Sequence, residues 1–387
     1  MLEDWAAGAG CLRTGRSAWH GDLVKDSHGA RVDVVVIGAG QLGLAVAHHL
    51  QRAGLPRRPG GSGSAGGFVV LDDGPAPGGA WQYQRDSLRV RQADGVPDLP
   101  GMPATFDPGG RSSALVPRYL GEYERALELP VVRPVRVRAV RDVGGPGGLL
   151  AVETDRGEWL TRAVVSATGS WQRPFWPAYP GRESFVGLQV HARDVRSAAD
   201  FAGRHVILIG GGASALALLL EIAEVTTTMW VTRRPEPGDG APDGRWERAA
   251  SATEVEPTGV GPTQSAVGVT GLPLTAQDSR GIDAGILAPL PMFSRIVPDG
   301  VVWDPGDVPP APAHRAADVL VWATGFRADL THLAPLRLRV HGGGIAMDGP
   351  AVVADPRVQL VGYPLAGPSE NRAPRDAVRN LRRLLTF

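Results

Sequence analysis

Short apolar runs alternate with amphipathic stretches along most of this chain, and the alternation predicts a parallel α/β fold. A run of β-branched residues at 31–37 precedes a stretch at 41–53 in which apolar residues recur at helical spacing. The same order recurs later, with an apolar run at 205–209 followed by a helical pattern at 215–224. Strands that alternate with helices of this length are typical of β–α–β units and a parallel sheet.

Other apolar runs predict the remaining strands and a last helix. The further predicted strands lie at 68–72, 132–140, 149–154, 159–166, 228–232, 318–323 and 358–362. A helix is predicted at 374–385, where apolar residues occupy one face and arginines the other. Residues 1–30 show no clear period and are expected to form an N-terminal extension. Stretches rich in Pro and Gly predict irregular structure at 57–67, from 73 to about 117 and at 235–270.

The first predicted strand–helix junction is a glycine-rich phosphate loop. Gly38, Gly40 and Gly43 fit G-x-G-x-x-G, a pattern that permits a tight turn, close approach of a pyrophosphate and close packing of helix on strand. The helix N-terminus adds free N–H donors for phosphate oxygens. Asp72 ends the next strand and is predicted to bind a ribose 2′-hydroxyl, with Asp73 as the alternative register. A dinucleotide site is therefore predicted here.

A second phosphate loop follows the run at 205–209 and fits the variant G-x-G-x-x-A. Its predicted nucleotide-binding residues are Gly210, Gly212, Ser214 and Ala215. No acid ends the next strand, where Arg233 and Arg234 stand instead. Arginine can bind a 2′-phosphate in bidentate fashion, whereas a carboxylate would repel it. We therefore expect NADPH rather than NADH at this loop, although two solvated surface arginines would give the same sequence.

Two further apolar runs, at 164–169 and 319–325, both end in Ala-Thr-Gly. Each is expected to bring the backbone close to a cofactor or to a crossing between domains. The residues predicted to contact cofactors are Thr168, Gly169, Thr324 and Gly325.

Composition narrows the functional classes. The 387 residues carry 40 Lys+Arg and 40 Asp+Glu, so no net charge favours nucleic acid or an anionic membrane as a partner. Cys11 is the single cysteine, which excludes a dithiol mechanism within one chain. No apolar stretch is long enough for a membrane span, no segment resembles a secretory signal and no spacing predicts a metal site. A cytoplasmic enzyme without a metal is expected.

Together these motifs resemble the class B flavoprotein monooxygenases, the superfamily of flavin-containing and Baeyer–Villiger monooxygenases. The resemblance runs from about residue 31 to the C-terminus and includes Gly78-Gly79-Ala80-Trp81, the 361–363 segment and Asn371-Arg372-Ala373. It implies FAD at the first loop and NADPH at the second. In the family the Gly-Gly-x-Trp segment lies against the flavin and the C-terminal segment approaches the flavin ring. The residues that this places at the FAD are Gly79, Trp81, Gly362 and Asn371.

The resemblance also implies the domain organisation. It predicts an α/β protein with two Rossmann-like dinucleotide-binding domains, in which an NADPH domain is inserted into an FAD domain. The FAD domain is expected to comprise residues 31–184 and 318–387, and the NADPH domain residues 185–317.

Two features leave the chemistry open. The family carries Phe-x-Gly-x-x-x-His followed four residues later by an aromatic residue, and this chain has Phe185, Gly187 and His191 but Val195. Because that last residue helps to separate the two branches, Val195 leaves the type of oxidation undecided. His191 is predicted near the cofactor, either at the site or in a structural role that holds a backbone carbonyl.

Arg85 and Asp86 follow the Gly-Gly-x-Trp segment and are the candidate catalytic residues. They are predicted to form an ion pair that positions the nicotinamide or stabilises a peroxyflavin anion, with a structural salt bridge as the alternative.

The resemblance implies an FAD-dependent monooxygenase that uses NADPH and transfers one oxygen atom from a flavin C4a-hydroperoxide to a small organic substrate. N-oxidation, S-oxidation and Baeyer–Villiger oxidation all stay open, and so does a homodimer. An NADPH–flavin reductase or oxidase without oxygen transfer is one competing hypothesis, and a non-catalytic redox-nucleotide-binding protein is another. The substrate is expected where the domains meet, lined by the segments 87–117 and 272–297. The apolar residues of these segments could equally belong to the core (Leu99, Met102, Phe106, Leu287, Met292 and Phe293).

Overall fold

The computed structural model describes residues 30–58, 66–90, 98–145, 147–233, 285–305, 313–363 and 372–386. Residues 1–29, the whole of the predicted 235–270 loop, Arg234 and Asn371 lie outside the described residues. The helices are α1 (Gln41–Arg52), α2 (Ser112–Ala126), α3 (Ala213–Ala223) and α4 (Ala373–Leu385). None of the described helices is long and apolar enough to cross a membrane.

The strands belong to two main sheets and one small sheet. In chain order they are β1 (Ala30–Ile37), β2 (Phe68–Leu71), β3 (Val131–Val132), β4 (Val137–Asp142), β5 (Leu150–Thr154), β6 (Gly157–Ser166), β7 (Leu188–His191), β8 (Val206–Ile209), β9 (Thr228–Thr232), β10 (Leu290–Pro291), β11 (Arg295–Val297), β12 (Gly300–Val302), β13 (His314–Ala316), β14 (Val319–Trp322), β15 (Met347–Asp348), β16 (Ala351–Val352) and β17 (Asp355–Leu360).

The first sheet has the strand order β15-β16-β17-β6-β1-β2-β3, and its strands from β17 to β3 are parallel. The central strand β1 is apolar throughout its second half because both of its faces are covered. Val34 and Val36 pack on one face against a core that includes α1 and α4, whereas Val35 packs on the other face. The hairpin β4–β5 adds to the same sheet along β6.

The second sheet has the order β10-β9-β8-β14-β7 and is parallel throughout. Its strands fall between β6 and β15 of the first sheet along the chain, so the second unit interrupts the first. The strand β14 pairs with both β7 and β8. The predicted domain boundary at residue 318 is therefore wrong, because the chain returns to the first unit only after β14.

Sequence patterning misses helix α2. The stretch up to about residue 117 was predicted to be irregular, yet α2 begins at Ser112 and contains Pro117 in its second turn. Proline disfavours a helix interior, because it lacks the N–H that would bond to the carbonyl four residues earlier. Val116, Leu120 and Tyr123 are buried on one face of the helix, and this packing outweighs the local signals.

Candidate cofactor site

The first phosphate loop shows a distinct role for each of its three glycines. A Cβ at Gly38, whose φ is +99°, would lie 2.6 Å from the carbonyl oxygen of Ala167. A Cβ at Gly43 would lie 1.9 Å from the carbonyl oxygen of Gly38. A Cβ at Gly40 would meet nothing within 4 Å. The first and third glycines are thus required by packing, while the second borders open space beside the helix.

That open space fits a pyrophosphate. Helix α1 begins after Gly40, and no side chain caps its N-terminus or places an acid in its first turn. Such an N-terminus presents free N–H donors and the positive end of the helix dipole to an anion. The Gly-Gly-x-Trp segment covers this end, since a Cβ at Gly79 would lie 3.3 Å from Gly40 Cα and Trp81 Nε1 donates to Gln41 Oε1 over 3.3 Å. The residues present fit the diphosphate of FAD.

Asp72 lies at the end of β2, buried beside the loop, as predicted. Its Oδ1 accepts a hydrogen bond of 3.0 Å from Ala39 N, and its Oδ2 accepts one of 3.0 Å from Arg133 Nε. The same guanidinium binds Glu124 in bidentate fashion, at 2.6 and 2.7 Å. Arg133 and Glu124 were not predicted from the sequence. Together they hold the Asp72 carboxylate in a fixed orientation next to the phosphate loop.

The second phosphate loop repeats the first. A Cβ at Gly210 would lie 2.2 Å from the carbonyl oxygen of Ala323, and one at Gly212 would meet nothing within 4 Å. Helix α3 begins after Gly212, again without a side-chain cap. Ala215 is buried and Ser214 is exposed in the first turn. This loop fits a second dinucleotide for the same physical reasons.

Arg233 is exposed immediately after β9. Thr232, the last residue of that strand, lies beside the second loop, because a Cβ at Gly211 would be 2.8 Å from its Oγ1. Arg233 therefore follows the strand end from which the ribose of a nucleotide on this loop would be reached.

Both Ala-Thr-Gly segments lie at the crossing between the two units, which confirms that part of the prediction. Thr168 Oγ1 donates to the carbonyl oxygen of Asp329 over 2.7 Å, and Thr324 Oγ1 donates to that of Phe175. Backbone bonds join the same segments, from Asp329 N to Gly169 O at 3.0 Å and from Phe175 N to Gly325 O at 2.9 Å. We call these two paired segments, 168–175 and 324–329, the linkers.

His191 forms a hydrogen bond to the second linker. Its Nδ1 accepts a hydrogen bond of 3.1 Å from Arg193 N, so the ring proton lies on Nε2, which donates to Gly325 O over 3.1 Å. Burial lowers the pKa of the imidazole, although the bond to the Gly325 carbonyl opposes that shift. His191 is thus a neutral residue that holds a backbone carbonyl, the structural role that the sequence left open.

His332 is a second buried histidine, and it was not predicted. Its Nε2 lies 3.1 Å from Ser166 Oγ, at the end of β6 beside the first loop. Burial lowers its pKa from 6.5 to about 4.

The stability of the protein is therefore expected to depend on this histidine at acid pH. A folded-state pKa below the unfolded value gives stability that is fully present above pH 6.5 and is lost as the pH falls toward 4. The loss should reach about 3 kcal/mol for that shift. Urea unfolding at several pH values should show a shallower acid slope for His332→Gln. The exposed His341→Gln is the control, and an equal change in both variants would contradict the prediction.

Arg85 and Asp86 do not form the predicted ion pair. Arg85 turns to Glu221 of helix α3, with an NH2–Oε1 distance of 2.9 Å, whereas Asp86 accepts a bond of 3.3 Å from Arg111. The adjacent side chains diverge because Arg85 is buried and Asp86 is exposed. Both residues line one cavity together with Arg111, so their catalytic role stays a prediction.

The apolar residues proposed around the substrate are core residues in this structure. One group packs in the core of the first sheet (Leu99, Met102, Phe106), and another in the cores of the second (Leu287, Met292, Phe293). Gly362, with φ at +78°, follows β17 and would place a Cβ 2.9 Å from Leu42 Cδ1 of helix α1. Gly362 thus lies beside helix α1, and the approach of the following segment to the flavin ring stays a prediction.

Comparison with known proteins agrees with this architecture. A sequence model of the pyridine nucleotide-disulphide oxidoreductase family matches residues 35–243. The structure of a flavin-containing monooxygenase from Stenotrophomonas maltophilia superposes with a TM-score of 0.72 and 33% identity, covering 92% of this chain and 99% of that one.

Two curated relatives match more narrowly. The CzcO-like oxidoreductase of Geobacillus kaustophilus is 27% identical over 50% of this chain and 52% of its own length. Senecionine N-oxygenase of Tyria jacobaeae is 27% identical over 51% of this chain and 45% of its own length. The chain spans about half the length of the curated relatives it matches. From the two loops, the linkers and these likenesses, the chain belongs to the pyridine nucleotide-disulphide oxidoreductase family and, within it, to the class B flavoprotein monooxygenases.

Proposed function

We propose that the protein is an FAD-dependent monooxygenase that takes its electrons from NADPH and inserts one atom of molecular oxygen into a small organic substrate. The observation that carries the proposal is the repetition of one phosphate loop in two sheets joined by the linkers. Each loop has the same closed first glycine, the same open second position and the same uncapped helix. Two dinucleotides in one chain allow electrons to pass from one to the other.

The first loop is assigned to FAD. The residues that would hold it are the three loop glycines and Asp72, with Gly79 and Trp81 over the helix end. When bound, FAD would supply the two-electron chemistry and the reaction with oxygen, which no amino-acid side chain provides. The chain's own part is to orient the diphosphate by backbone N–H groups, to hold the Asp72 side chain in place for the ribose, and to exclude water.

The second loop is assigned to NADPH. Arg233 stands at the strand end where an acid would bind the 2′-hydroxyl of NADH, and Arg234 follows it in the sequence. A guanidinium at this position favours a 2′-phosphate through charge-assisted hydrogen bonds.

Replacing both arginines is expected to remove the preference for NADPH. Each charge-assisted hydrogen bond to a phosphate contributes about 1.5–3 kcal/mol, so the Arg233→Ala, Arg234→Ala variant should lose on the order of tenfold to several hundredfold in kcat/KM for NADPH. The value for NADH should change little, because NADH carries no 2′-phosphate. Anaerobic bleaching of the flavin by each nucleotide measures the effect. A wild-type protein that prefers NADH would overturn the assignment.

Oxygen transfer needs its own test. The purified protein is supplied with NADPH, oxygen labelled with ¹⁸O, and a panel of amines, sulfides and ketones. The proposal expects one labelled oxygen atom in a product for each NADPH consumed with at least one class. Release of all the oxygen as peroxide with every class would favour the reductase or oxidase alternative. Absence of flavin binding would leave only a nucleotide-binding protein.

A further inference from the structure

We infer that Arg85 and Glu221 form a positioning pair, which sets the second phosphate loop relative to the flavin site. The inference rests on the proposed function. Glu221 Oε1 accepts hydrogen bonds from Arg85 Nε at 3.0 Å and NH2 at 2.9 Å, and its Oε2 accepts one from Ser87 Oγ at 2.7 Å. The side chains of Arg85 and Glu221 are only 9% and 15% exposed.

Each residue of the pair belongs to, or closely follows, an element that packs on or begins at one of the two phosphate loops. On one side, Arg85 comes two residues after the 3-10 turn Gly79–Tyr83, which packs on the first phosphate loop. On the other side, Glu221 lies in α3, the helix that starts at the second loop. Leu218, Leu219 and Ile222 of that helix are fully buried, so the helix cannot shift independently of its sheet.

A further contact lies on the same side of the molecule. Arg196, which follows β7 of the second sheet, donates from its NH1 to the carbonyl oxygen of Tyr83. The segment 83–87 is therefore bound to the second unit at three of its residues. These hydrogen bonds come in addition to those of the linkers, and the ring of Tyr83 also stacks on that of Trp171 in the first linker, with centroids 6.4 Å apart.

The two sets of contacts have complementary effects. The linkers fix the point about which the second unit can turn, whereas the Arg85–Glu221 pair fixes the angle of that turn. Electron transfer by hydride requires donor and acceptor atoms within van der Waals contact, and a misplacement of about 1 Å can cost about 10²-fold in rate. Because each nucleotide is bound by its own loop, the angle between the units controls that distance. We therefore assign the pair to positioning and not to chemistry.

The test compares rate with binding. Arg85→Met should lower the limiting rate constant for anaerobic flavin reduction by NADPH at least about tenfold, while the dissociation constants of FAD and NADPH change by less than about threefold. Glu221→Gln, which keeps the shape of the side chain, should show a smaller loss in the same direction and serves if Arg85→Met fails to fold. The charge-reversed double variant R85E/E221R should recover part of the rate.

Arg118→Met is the matched control, since Arg118 pairs with Glu122 of the same helix on the exposed surface of α2. It should leave the reduction rate within about twofold. A second readout does not depend on turnover. Hydrogen–deuterium exchange should become faster in both the 79–88 segment and α3 in Arg85→Met, and in neither segment in Arg118→Met.

The positioning role and the proposed function are contradicted by different results. If Arg85→Met and Glu221→Gln bind FAD and are reduced at the wild-type rate, the positioning role is wrong and the proposed function stands. If neither NADPH nor NADH reduces the wild-type flavin, the proposed function is wrong. In that case the exchange measurement alone decides on the pair. Hydrogen–deuterium exchange in α3 that is the same in Arg85→Met and wild type would reject an orienting contact, whereas faster exchange in both the 79–88 segment and α3 would support one.

Discussion

Replacing Arg133 by Met is expected to lower the free energy of unfolding by about 3–5 kcal/mol, the usual cost of removing one partner from a buried ion pair. Arg133 neutralises two carboxylates, Asp72 and Glu124, and all three side chains are 10% exposed or less. The variant would leave both buried carboxylates without the guanidinium. Equilibrium unfolding in urea at neutral pH measures the change.

A neighbouring ion pair provides the control. Arg136 lies 3.5 Å from Asp73, but the two side chains are 70% and 41% exposed. An exposed pair contributes about 0–1 kcal/mol, so Arg136→Met should change the stability little. If Arg136→Met and Arg133→Met lose equal free energy of unfolding, burial does not determine how much the Arg133 ion pairs stabilise the protein. Because Arg133 also orients Asp72, its replacement should weaken FAD binding as well.

Gly43→Ala is expected to abolish tight FAD binding and to destabilise the fold. The added Cβ would lie 1.9 Å from the carbonyl oxygen of Gly38, far inside any real contact. Helix α1 would have to move away from β1, at a cost of about 1–3 kcal/mol for overpacking of a filled site. The phosphate loop would open, and its N–H groups would no longer converge. We expect a fall of more than about tenfold in FAD affinity, measured by flavin fluorescence.

Gly40→Ala separates binding from folding. Its Cβ would meet no protein atom within 4 Å, so its stability should stay close to wild type, yet the methyl group would occupy the space assigned to the pyrophosphate. The affinity for FAD should therefore fall while the urea midpoint stays constant. Gly109→Ala, whose Cβ would meet only ordinary contacts, should change neither property. If Gly40→Ala binds FAD as tightly as wild type, the pyrophosphate does not lie there.

The local elements of both cofactor loops could be predicted from the sequence, because they depend on residues close together in the chain. A β-branched run, a glycine triplet and an amphipathic stretch specify strand, turn and helix without reference to the rest of the fold. The observed β1, α1, β8 and α3 accordingly lie where the patterns predict them. The ends of β2 and β9 follow from the same reasoning, and so do the residues Asp72 and Arg233.

The partners of the charged residues could not be predicted, because they are set by tertiary structure. Arg85 reaches a glutamate 136 residues away, and Arg133 reaches an aspartate 61 residues away. In a chain with 40 basic and 40 acidic residues, sequence proximity favours the adjacent Asp86 as the partner of Arg85, and that choice is wrong. The allocation of β14 to a sheet failed for the same reason, since an apolar strand does not encode its neighbours.

The linkers have a consequence for how such a chain can be assembled from modules. The second unit leaves the first at Gly169 and returns at Asp329, and a single backbone hydrogen bond of 3.0 Å joins these two residues. A unit whose ends lie side by side can be exchanged as a cassette without breaking a strand of its host, as domain insertions require. Replacing the second unit by that of another protein would therefore leave the first unit intact while changing the nucleotide specificity. Each replacement unit would have to restore the Arg85–Glu221 contact.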